Sequence, residues 1–470
     1  MKPTFLLLFF TYTFFSYAQV FPKETLKNSG DNNKRINLVL LSDGYTAAEL
    51  PKFKTDATTF INKMFGSAPF SNYTNYFNVF IIKVPSNQSG ADHPGTGTDV
   101  TEPAIPVKIA DTYFNATFDS FGFHRLLYYE LDGNSANDTK SKITSVLMDN
   151  IPDYDQAVIL VNTNEYGGSG GEFVMTYTGF YGPDVAVHEI GHSLFNLKDE
   201  YFPIDDALAA EAANMTQESN PALVKWKNWI GTNGVGVYQY DTSGLAASWY
   251  RPHQNCKMRS IEKTFCSVCK EAIVERIHEL VPALESYTPI SNNLNNTTFP
   301  INFHLNLIKP VPNTLASQWT LNGSDFGVNV DDVSITETDL TTGINTLTVV
   351  VEDNTALLRV DNHETIHAYS VTWTIDNSSL GLDLVSEVNN FEIKLYPNPS
   401  SDFINIKTKN SLNKNLTLEV ISLDGKKLTS KTLSNLEPIK LDISRFSKGI
   451  YITNIYSENT LIASKKIVKN

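Results

Sequence analysis

Two histidines separated by three residues mark the part of this sequence that can do chemistry. The segment HEIGH (188–192) lies in a stretch of helical periodicity, and side chains four residues apart lie on one face of a helix, about 6 Å apart at their bases. The imidazoles of His188 and His192 can therefore share one zinc ion, which activates water for attack on a carbonyl. Glu189 lies next to them and is predicted to be the proton acceptor and not a ligand.

The helix that must carry this motif has signals of its own in the sequence. Asp184 follows a Gly-Pro pair, and we predict that it caps the helix N-terminus. Val187, Ile190 and Leu194 recur at helical spacing and predict the face that packs on the core. The histidine pair is therefore predicted to project from the other face of a regular helix.

A zinc hydrolase needs a third protein ligand, while the fourth position of the metal stays open for water. Asp199 and Glu200 lie immediately beyond the predicted helix. Both carry a carboxylate that zinc accepts, so the residues alone leave the choice between them open.

The same five-residue pattern occurs a second time, at 363–367, in sequence that alternates like a strand. On a strand, residues four apart are separated by about 13 Å, which is too far for two nitrogens to reach one metal. We therefore predict no catalytic role for His363, Glu364 and His367.

The first copy resembles the metzincin-type zinc peptidases, whose helix ends at a glycine turn and whose third ligand follows the second histidine by six residues. Those positions are Phe195 and Lys198 here, so the standard metzincin pattern is not met. The resemblance to that group also suggests Met258 as the methionine that forms a hydrophobic floor beneath the metal.

The sequence is more similar to a family of bacterial metallopeptidases typified by an immunoglobulin-A-cleaving enzyme. That family has HExGH, a short spacer and then Leu-x-Asp-Glu-Tyr, which corresponds here to LKDEY (197–201). The segments LSDGY (41–45) and VPSNQSGADHP (84–94) also look like that family, so the resemblance covers about residues 35–285. It implies Asp199 as the third zinc ligand, with Glu200 as the alternative.

Three cysteines, Cys256, Cys266 and Cys269, lie within fourteen residues of one another. In an exported protein this spacing favours one local disulfide with one thiol left over. The alternative is a structural zinc site with His253 as the fourth ligand.

Composition and charge restrict the function classes. Of 470 residues, 41% are hydrophobic, which is enough for packed cores, and a net charge of −14 disfavours binding to nucleic acid. The apolar segment TFLLLFFTYTFFSY (4–17) follows Lys2 and precedes Ala18, as in a secretory signal peptide. We predict a signal peptide over 1–18 and no transmembrane segment in the mature chain, because no later apolar stretch is long enough.

The pattern of apolar residues predicts several domains. Residues 19–285 mix strands, such as 36–45, 77–85 and 154–162, with helices at 46–64, 121–131, 140–149 and 267–281, which predicts an α+β domain. The resemblance implies that this domain is a metzincin-like zinc peptidase domain. Short alternating strands over 286–380 predict an all-β immunoglobulin-like sandwich. A polar linker is expected over 381–390, and a small all-β domain over 391–470.

This last segment differs in charge from the rest, with 13 basic and 7 acidic side chains. LYPNPSSDFINI (395–406), ISLDGKKL (421–428) and ISRFSKGIYI (443–452) resemble the C-terminal sorting domain of the type IX secretion system. The resemblance implies that the secretion machinery is a partner and that the protein passes through the periplasm to the cell surface or the medium.

The sequence as a whole predicts a secreted zinc endopeptidase that hydrolyses peptide bonds of extracellular proteins, with Glu189 as the base. The alternative is a surface adhesin or binding protein whose peptidase-like domain is inactive. The intact HEIGH motif argues against that alternative.

Overall fold

A computed structural model describes most of the chain. The described residues are 20–99, 106–129, 135–201, 210–295, 298–361, 367–378, 392–409, 416–423, 425–433, 439–457 and 460–470. The predicted signal peptide, the predicted linker over 381–390, and His363 and Glu364 of the second HExxH-type pattern lie outside them.

The region that carries HEIGH is built on a mixed sheet of six strands. The strands of this region are β1 (Lys23–Lys27), β2 (Ile36–Asp43), β3 (Phe77–Ile82), β4 (Ala116–Thr117), β5 (Tyr128–Tyr129), β6 (Gln156–Val161), β7 (Gly168–Ser169), β8 (Phe173–Tyr177), β9 (Tyr238–Gln239) and β10 (Tyr250–Arg251). The sheet order is β1-β3-β2-β6-β8-β7, with the four central strands parallel and both edge strands antiparallel. The predicted strands at 36–45, 77–85 and 154–162 are confirmed as its centre.

Four helices accompany these strands: α1 (Leu50–Phe65), α2 (Ser135–Asn150), α3 (Gly182–Ser193) and α4 (Ser267–Leu280). Apolar residues of α1, α3 and α4 pack on one face of the sheet, and those of α2 pack on the other. Every residue of β2, β3 and β6 is buried, as expected for strands covered on both faces. The predicted helix at 121–131 is wrong, because the described part of that segment, 121–129, contains the end of a short 3-10 turn and β5 and no α-helix.

The LSDGY segment has a structural role at the end of β2. Asp43 is fully buried, and its carboxylate accepts hydrogen bonds from the backbone amides of Phe114 and Ala116 and from the hydroxyl of Thr112, at 2.9, 3.0 and 2.9 Å. A Cβ on Gly44 would lie 1.9 Å from a backbone oxygen, so only glycine fits there. The segment thus fastens the following loop to the sheet.

The next part of the chain is all β. Its strands are β11 (Leu284–Thr288), β12 (Asn293–Asn295), β13 (Ile301–Leu307), β14 (Leu315–Leu321), β15 (Ser324–Val328), β16 (Asp332–Ile335), β17 (Ile344–Asp353) and β18 (Tyr369–Asp376). They form sheets of order β11-β13-β16 and β12-β18-β17-β14-β15. Alternate residues of β13, β17 and β18 are buried, which is the period-2 pattern seen in the sequence.

The C-terminal segment is also all β, with β19 (Glu392–Tyr396), β20 (Phe403–Lys409), β21 (Leu416–Ser422), β22 (Lys427–Leu433), β23 (Ile439–Asp442), β24 (Gly449–Ser457) and β25 (Thr460–Lys469). They form sheets of order β19-β20-β23 and β22-β21-β24-β25 around a small aliphatic core. Asn398 of the YPNP segment exchanges hydrogen bonds with Lys466 and Val468 of the last strand, at 2.6 and 2.7 Å. The segment begins at Tyr396, the last residue of β19, and leads towards β20.

Contacts divide the chain into two units, the first comprising Met1–Ile290, Asn302–Ser334 and Thr348–Thr372 and the second comprising Ser291–Ile301, Ile335–Leu347 and Trp373–Asn470. The mixed α/β sheet lies in the first unit, and the C-terminal sheets lie in the second. The predicted domain limits at 285, 380 and 390 stay predictions. None of the helices described here has the length and apolar character needed to cross a membrane.

Candidate active site

Helix α3 begins immediately after the central strand β8, and the geometry of its first turn requires glycine. A Cβ on Gly182 would lie 2.1 Å from the carbonyl oxygen of Tyr177. Asp184 is not the N-cap, since that position belongs to Tyr181. The carboxylate of Asp184 instead pairs with the ammonium groups of Lys257 and Lys63, both at 2.8 Å. These ion pairs join the start of α3 to α1 and to the segment that precedes α4.

Each imidazole of the motif is oriented by a backbone carbonyl. The Nδ1 atom of His188 lies 3.0 Å from the carbonyl oxygen of Lys257, and that of His192 lies 2.7 Å from the carbonyl oxygen of Leu197. Because a carbonyl oxygen only accepts, both Nδ1 atoms carry the proton. The Nε2 lone pairs of the two rings then face each other at 3.2 Å.

The carboxylate of Asp199 completes a triangle with these two nitrogens. Its Oδ1 atom lies 3.1 Å from Nε2 of His188 and 3.2 Å from Nε2 of His192. Apart from its contacts with these two ring nitrogens, Oδ1 is buried and has no hydrogen-bond donor among the described residues. Three electron-pair donors therefore point at one place, which suits a metal cation.

The electrostatics of the triangle depend on the carboxylate. Burial by itself lowers the pKa of His192, but the hydrogen bond and negative charge of Asp199 outweigh it and raise the pKa to about 9. Burial acts to raise the pKa of Asp199, and the two histidines hold it well below its usual range. The carboxylate is thus anionic at neutral pH and attracts positive charge to this point.

Glu189 lies beside the triangle, on the side of the glycine segment 167–171. A Cβ on Gly170 would lie 2.9 Å from Oε2 of Glu189 and 3.4 Å from Cβ of His192. Burial raises the pKa of Glu189, and the nearby histidines act in the opposite direction. The carboxylate can therefore accept a proton more readily than one in water.

The glycine segment 167–171 lies directly before strand β8 in the chain. In the structure Gly168 and Ser169 form β7 and pair with β8. Strand β8 is therefore not an edge strand, and it cannot pair with an added peptide along its β7 side.

Glu200 is directed away from the histidines although it follows Asp199 directly. It is fully buried beside Cys256, Cys266 and Cys269, and the four ligand atoms lie within 4.8 Å of one another. All three cysteines are free, so the favoured disulfide is not formed in the structure. His253 does not join them, since its Nε2 atom contacts the carbonyl oxygen of Asn233 at 3.1 Å.

Met258 is fully buried against the histidine helix. A Cβ on Gly191, between the two histidines, would lie 2.9 Å from the sulfur of Met258. The carbonyl of Lys257, the residue before Met258, orients His188. The carbonyl of Met258 accepts a hydrogen bond from the amide of Glu200, at 2.7 Å. The predicted floor methionine is thus adjacent to the helix that carries the motif.

Other residues around Asp199 carried no assigned role in the sequence. Burial and a hydrogen bond to Asp199 raise the pKa of Tyr201, and the hydroxyl of Tyr240 donates to the backbone oxygen of Asp199 at 2.6 Å. Tyr201 is part of the LKDEY segment, so the family pattern could have singled it out. Tyr240 carries no sequence signal, because only folding brings it to Asp199.

His93 and His124 lie next to each other and beside the buried Asp119. Their Nδ1 atoms lie 3.3 and 3.0 Å from its carboxylate oxygens. The second HExxH-type pattern contributes His367, which is buried near Glu275 of α4, with Nε2 and a carboxylate oxygen 3.8 Å apart.

Comparison with known proteins identifies two regions of the chain. Residues 25–239 match the family model of the IgA Peptidase M64 family, and residues 394–470 match that of the secretion system C-terminal sorting domain. The first match contains the HEIGH and LKDEY segments and ends before the cysteines. No curated protein matches the sequence.

Solved structures resemble the chain only weakly. A Lactobacillus rhamnosus β-glucuronidase is 10% identical over 33% of this chain, with a TM-score of 0.14, and the match spans 30% of that enzyme's length. The SGBP-B protein of a Bacteroides ovatus mixed-linkage glucan utilization locus is 14% identical, over 37% of this chain and 42% of its own, with a TM-score of 0.14. Fibronectin(III)-like modules of Clostridium thermocellum CbhA are 12% identical, over 39% of this chain and 92% of theirs, with the same TM-score.

Scores this low support no conclusion about fold or function, whereas the two family models agree with the motifs in their regions. Over residues 25–239 the chain is therefore similar to the IgA peptidase M64 family, and over residues 394–470 to the type IX secretion sorting domain.

Proposed function

We propose that this protein is a secreted zinc-dependent endopeptidase, in which His188, His192 and Asp199 hold the metal and Glu189 is the general base. The observation that carries the proposal is the triangle formed by the two Nε2 atoms and Oδ1 of Asp199. The peptidase family of residues 25–239 supports peptide-bond hydrolysis and makes a metal cofactor reasonable.

The dimensions of the triangle fit zinc. Nitrogen and oxygen ligands lie about 2.0 to 2.2 Å from zinc, so neighbouring ligands of a tetrahedral ion are about 3.3 to 3.5 Å apart. The three distances of 3.1 to 3.2 Å are close to these values. A tetrahedral ion with these ligands keeps its fourth position for water, because the side chains of His192 and Asp199 are 22% and 21% exposed.

The donor set also argues for a cation. With both Nδ1 protons committed to carbonyl oxygens, an Nε2 atom can donate to Asp199 only when its ring takes up a second proton. The raised pKa of His192 reflects the positive charge that Asp199 attracts to this point. A divalent cation can supply that charge to all three ligands at once.

Zinc bound there would polarise the scissile carbonyl and acidify water. Glu189 removes a proton from the attacking water and returns it to the leaving amine. The absence of a side chain at Gly170 leaves room for the Glu189 carboxylate, because a Cβ there would lie 2.9 Å from Oε2. Met258 packs beneath the helix as its apolar support. The M64 resemblance suggests protein substrates such as immunoglobulins.

Replacement of Glu189 tests the enzyme directly. Glu189→Gln keeps the size of the side chain and removes its basicity, so hydrolysis of casein or immunoglobulin A should fall by about 10²- to 10⁴-fold, the usual contribution of general acid–base catalysis. Zinc content, measured by elemental analysis, should not change. Glu364→Gln in the second HExxH-type pattern is the matched control and should keep full activity.

Activity that survives Glu189→Gln would contradict the proposed mechanism. A wild-type protein that cleaves no protein substrate would favour the alternative, an adhesin with an inactive peptidase-like domain.

We also propose that residues 391–470 direct the protein through the type IX machinery to the cell surface or the medium, with an immunoglobulin-like sandwich between them and the peptidase domain. A chain lacking 391–470 should accumulate in the periplasm of the native host and retain activity after purification. Immunoblots of cell fractions measure this. Normal appearance of the shortened chain in the medium would contradict the sorting role.

A further inference from the structure

A second cluster of metal-ligand side chains lies one residue along the chain from Asp199. Cys256 and Cys269 are 0% exposed, Cys266 is 7% exposed, and Glu200 is 0% exposed. The sulfurs of Cys256 and Cys269 are 3.6 Å apart, and Oε1 of Glu200 lies 3.2 Å from the sulfur of Cys269.

The carboxylate of Glu200 is only half satisfied. Its Oε1 atom accepts from the thiol of Cys269 and from the amide of Asn214, both at 3.2 Å. Its Oε2 atom is buried and has no donor in the described part of the chain. A buried, half-satisfied carboxylate beside three thiols is unfavourable as an anion unless a cation joins them.

We propose that Cys256, Cys266, Cys269 and Glu200 form a closed, structural zinc site that fixes the position of Asp199. Zinc lies about 2.3 Å from thiolate sulfur, so two sulfurs of a tetrahedral site are about 3.8 Å apart. The separation of 3.6 Å between Cys256 and Cys269 matches that edge and is far from the ~2.05 Å of a disulfide bond. Zinc takes thiolate and carboxylate ligands together, and it releases the three thiol protons to solvent on binding.

The surroundings supply positive potential for the thiolates. Cys266 is the N-cap residue of the fourteen-residue helix α4, and Cys269 lies in its first turn, where backbone amides and the helix dipole favour negative charge. The amide of Cys266 donates to the sulfur of Cys256 at 3.3 Å. Arg251 is buried nearby, and its charge and that of Glu200 attract each other.

The site links the third ligand of the proposed active centre to α4. Glu200 is tied to the cysteines by its side chain and to Met258 by its amide, which donates to the Met258 carbonyl at 2.7 Å. Asp199, its neighbour, is then left with little freedom to leave the histidines. A closed metal site thus performs the positioning that the glycine turn provides in metzincins.

Metal analysis of the full-length protein tests this inference without depending on the proposed function. Purified wild-type protein should contain two zinc ions per chain, and both should be absent after complete denaturation and chelation. A His188→Ala/His192→Ala variant should retain one zinc ion. Cobalt substituted into that variant should give sulfur-to-cobalt charge-transfer absorption. A thiol reagent added to denatured, unreduced protein should detect three thiols.

Cys266→Ser is the matching variant, because serine is a good N-cap residue and keeps the helix start. It should lose the cobalt–sulfur absorption and one zinc ion. His253→Ala, which removes the other nearby imidazole, should keep both.

A single detectable thiol would mean that a disulfide forms there, and it would overturn the inference. Three thiols with no zinc in the His188→Ala/His192→Ala variant would overturn it as well. If wild-type protein contains one zinc ion and the double variant retains it, the cysteine site is right and the proposed active site is wrong.

Discussion

Asp199 and Glu200 are adjacent in the chain, yet their carboxylates serve clusters of opposite character. Asp199 faces two imidazoles at a place that water can reach, since its side chain is 21% exposed. Glu200 faces three thiols in a place that water cannot reach. The first cluster has three proposed ligands and an accessible position, and the second has four proposed ligands and none.

This contrast follows the division between catalytic and structural zinc sites, in which an open position serves chemistry and a complete ligand set serves stability. The backbone between the two residues reverses the direction of the side chains, so one short segment supplies both. Function and stability are therefore separable by changing one carboxylate at a time.

The largest expected effect separates the two carboxylates. Asp199→Asn should reduce peptidase activity by more than about 100-fold, since even groups that only orient ligands contribute 10- to 100-fold. Its melting temperature should stay within a few degrees of wild type. Glu200→Gln should instead lower the melting temperature by about 5 to 15 °C, as expected when a bound ion no longer favours the folded state. Calorimetry and peptide hydrolysis at a temperature below both transitions measure the two effects. If Glu200→Gln lost activity and Asp199→Asn lost thermal stability, Glu200 would be the zinc ligand of the active site.

The order in which a chelator removes the two metals should also distinguish the two sites. We expect a chelator to abolish activity before it makes the cysteines reactive, because the histidine site is open and the cysteine site is closed. Activity and thiol release, followed in the same sample, would show this order. If activity were lost at the same time as the thiols became reactive, the two metals would be leaving in one unfolding event.

The smallest effect concerns Glu189. In Gly170→Ala the added methyl group would lie 2.9 Å from the Glu189 carboxylate, which must shift. We expect activity to fall by about 10- to 100-fold, as small displacements of catalytic groups do, with both zinc ions retained. Unchanged activity would mean that the position of this carboxylate is not limited by the glycine segment.

Local sequence patterns predicted much of this arrangement. The histidine spacing, the strands at the centre of the sheet and helix α4 follow from periodicity, which is a short-range property. The predicted helix at 121–131 is wrong because apolar spacing alone does not distinguish a helix from a loop whose side chains pack on the sheet. Phe121 has a φ of +55°, which no helix contains.

Such local patterns could not predict contacts between residues that are far apart in the sequence. The choice between Asp199 and Glu200 depends on cysteines more than fifty residues away, and one-residue differences in direction have no periodic signal. The spacing of the cysteines predicted either a disulfide or a zinc site with His253, and it carried no signal of Glu200. In the structure the fourth candidate ligand atom comes from Glu200.

The two carbonyls that orient the imidazoles lie at very different distances along the chain. His192 is oriented from within its own turn by Leu197, but His188 depends on Lys257, 69 residues later. During synthesis the motif therefore emerges long before the segment that orients His188, and a growing chain would be an incomplete form of the proposed peptidase. Zinc retained by ribosome-arrested chains of increasing length should rise only once residue 257 has emerged, which would keep the enzyme inactive through the first stages of its biogenesis.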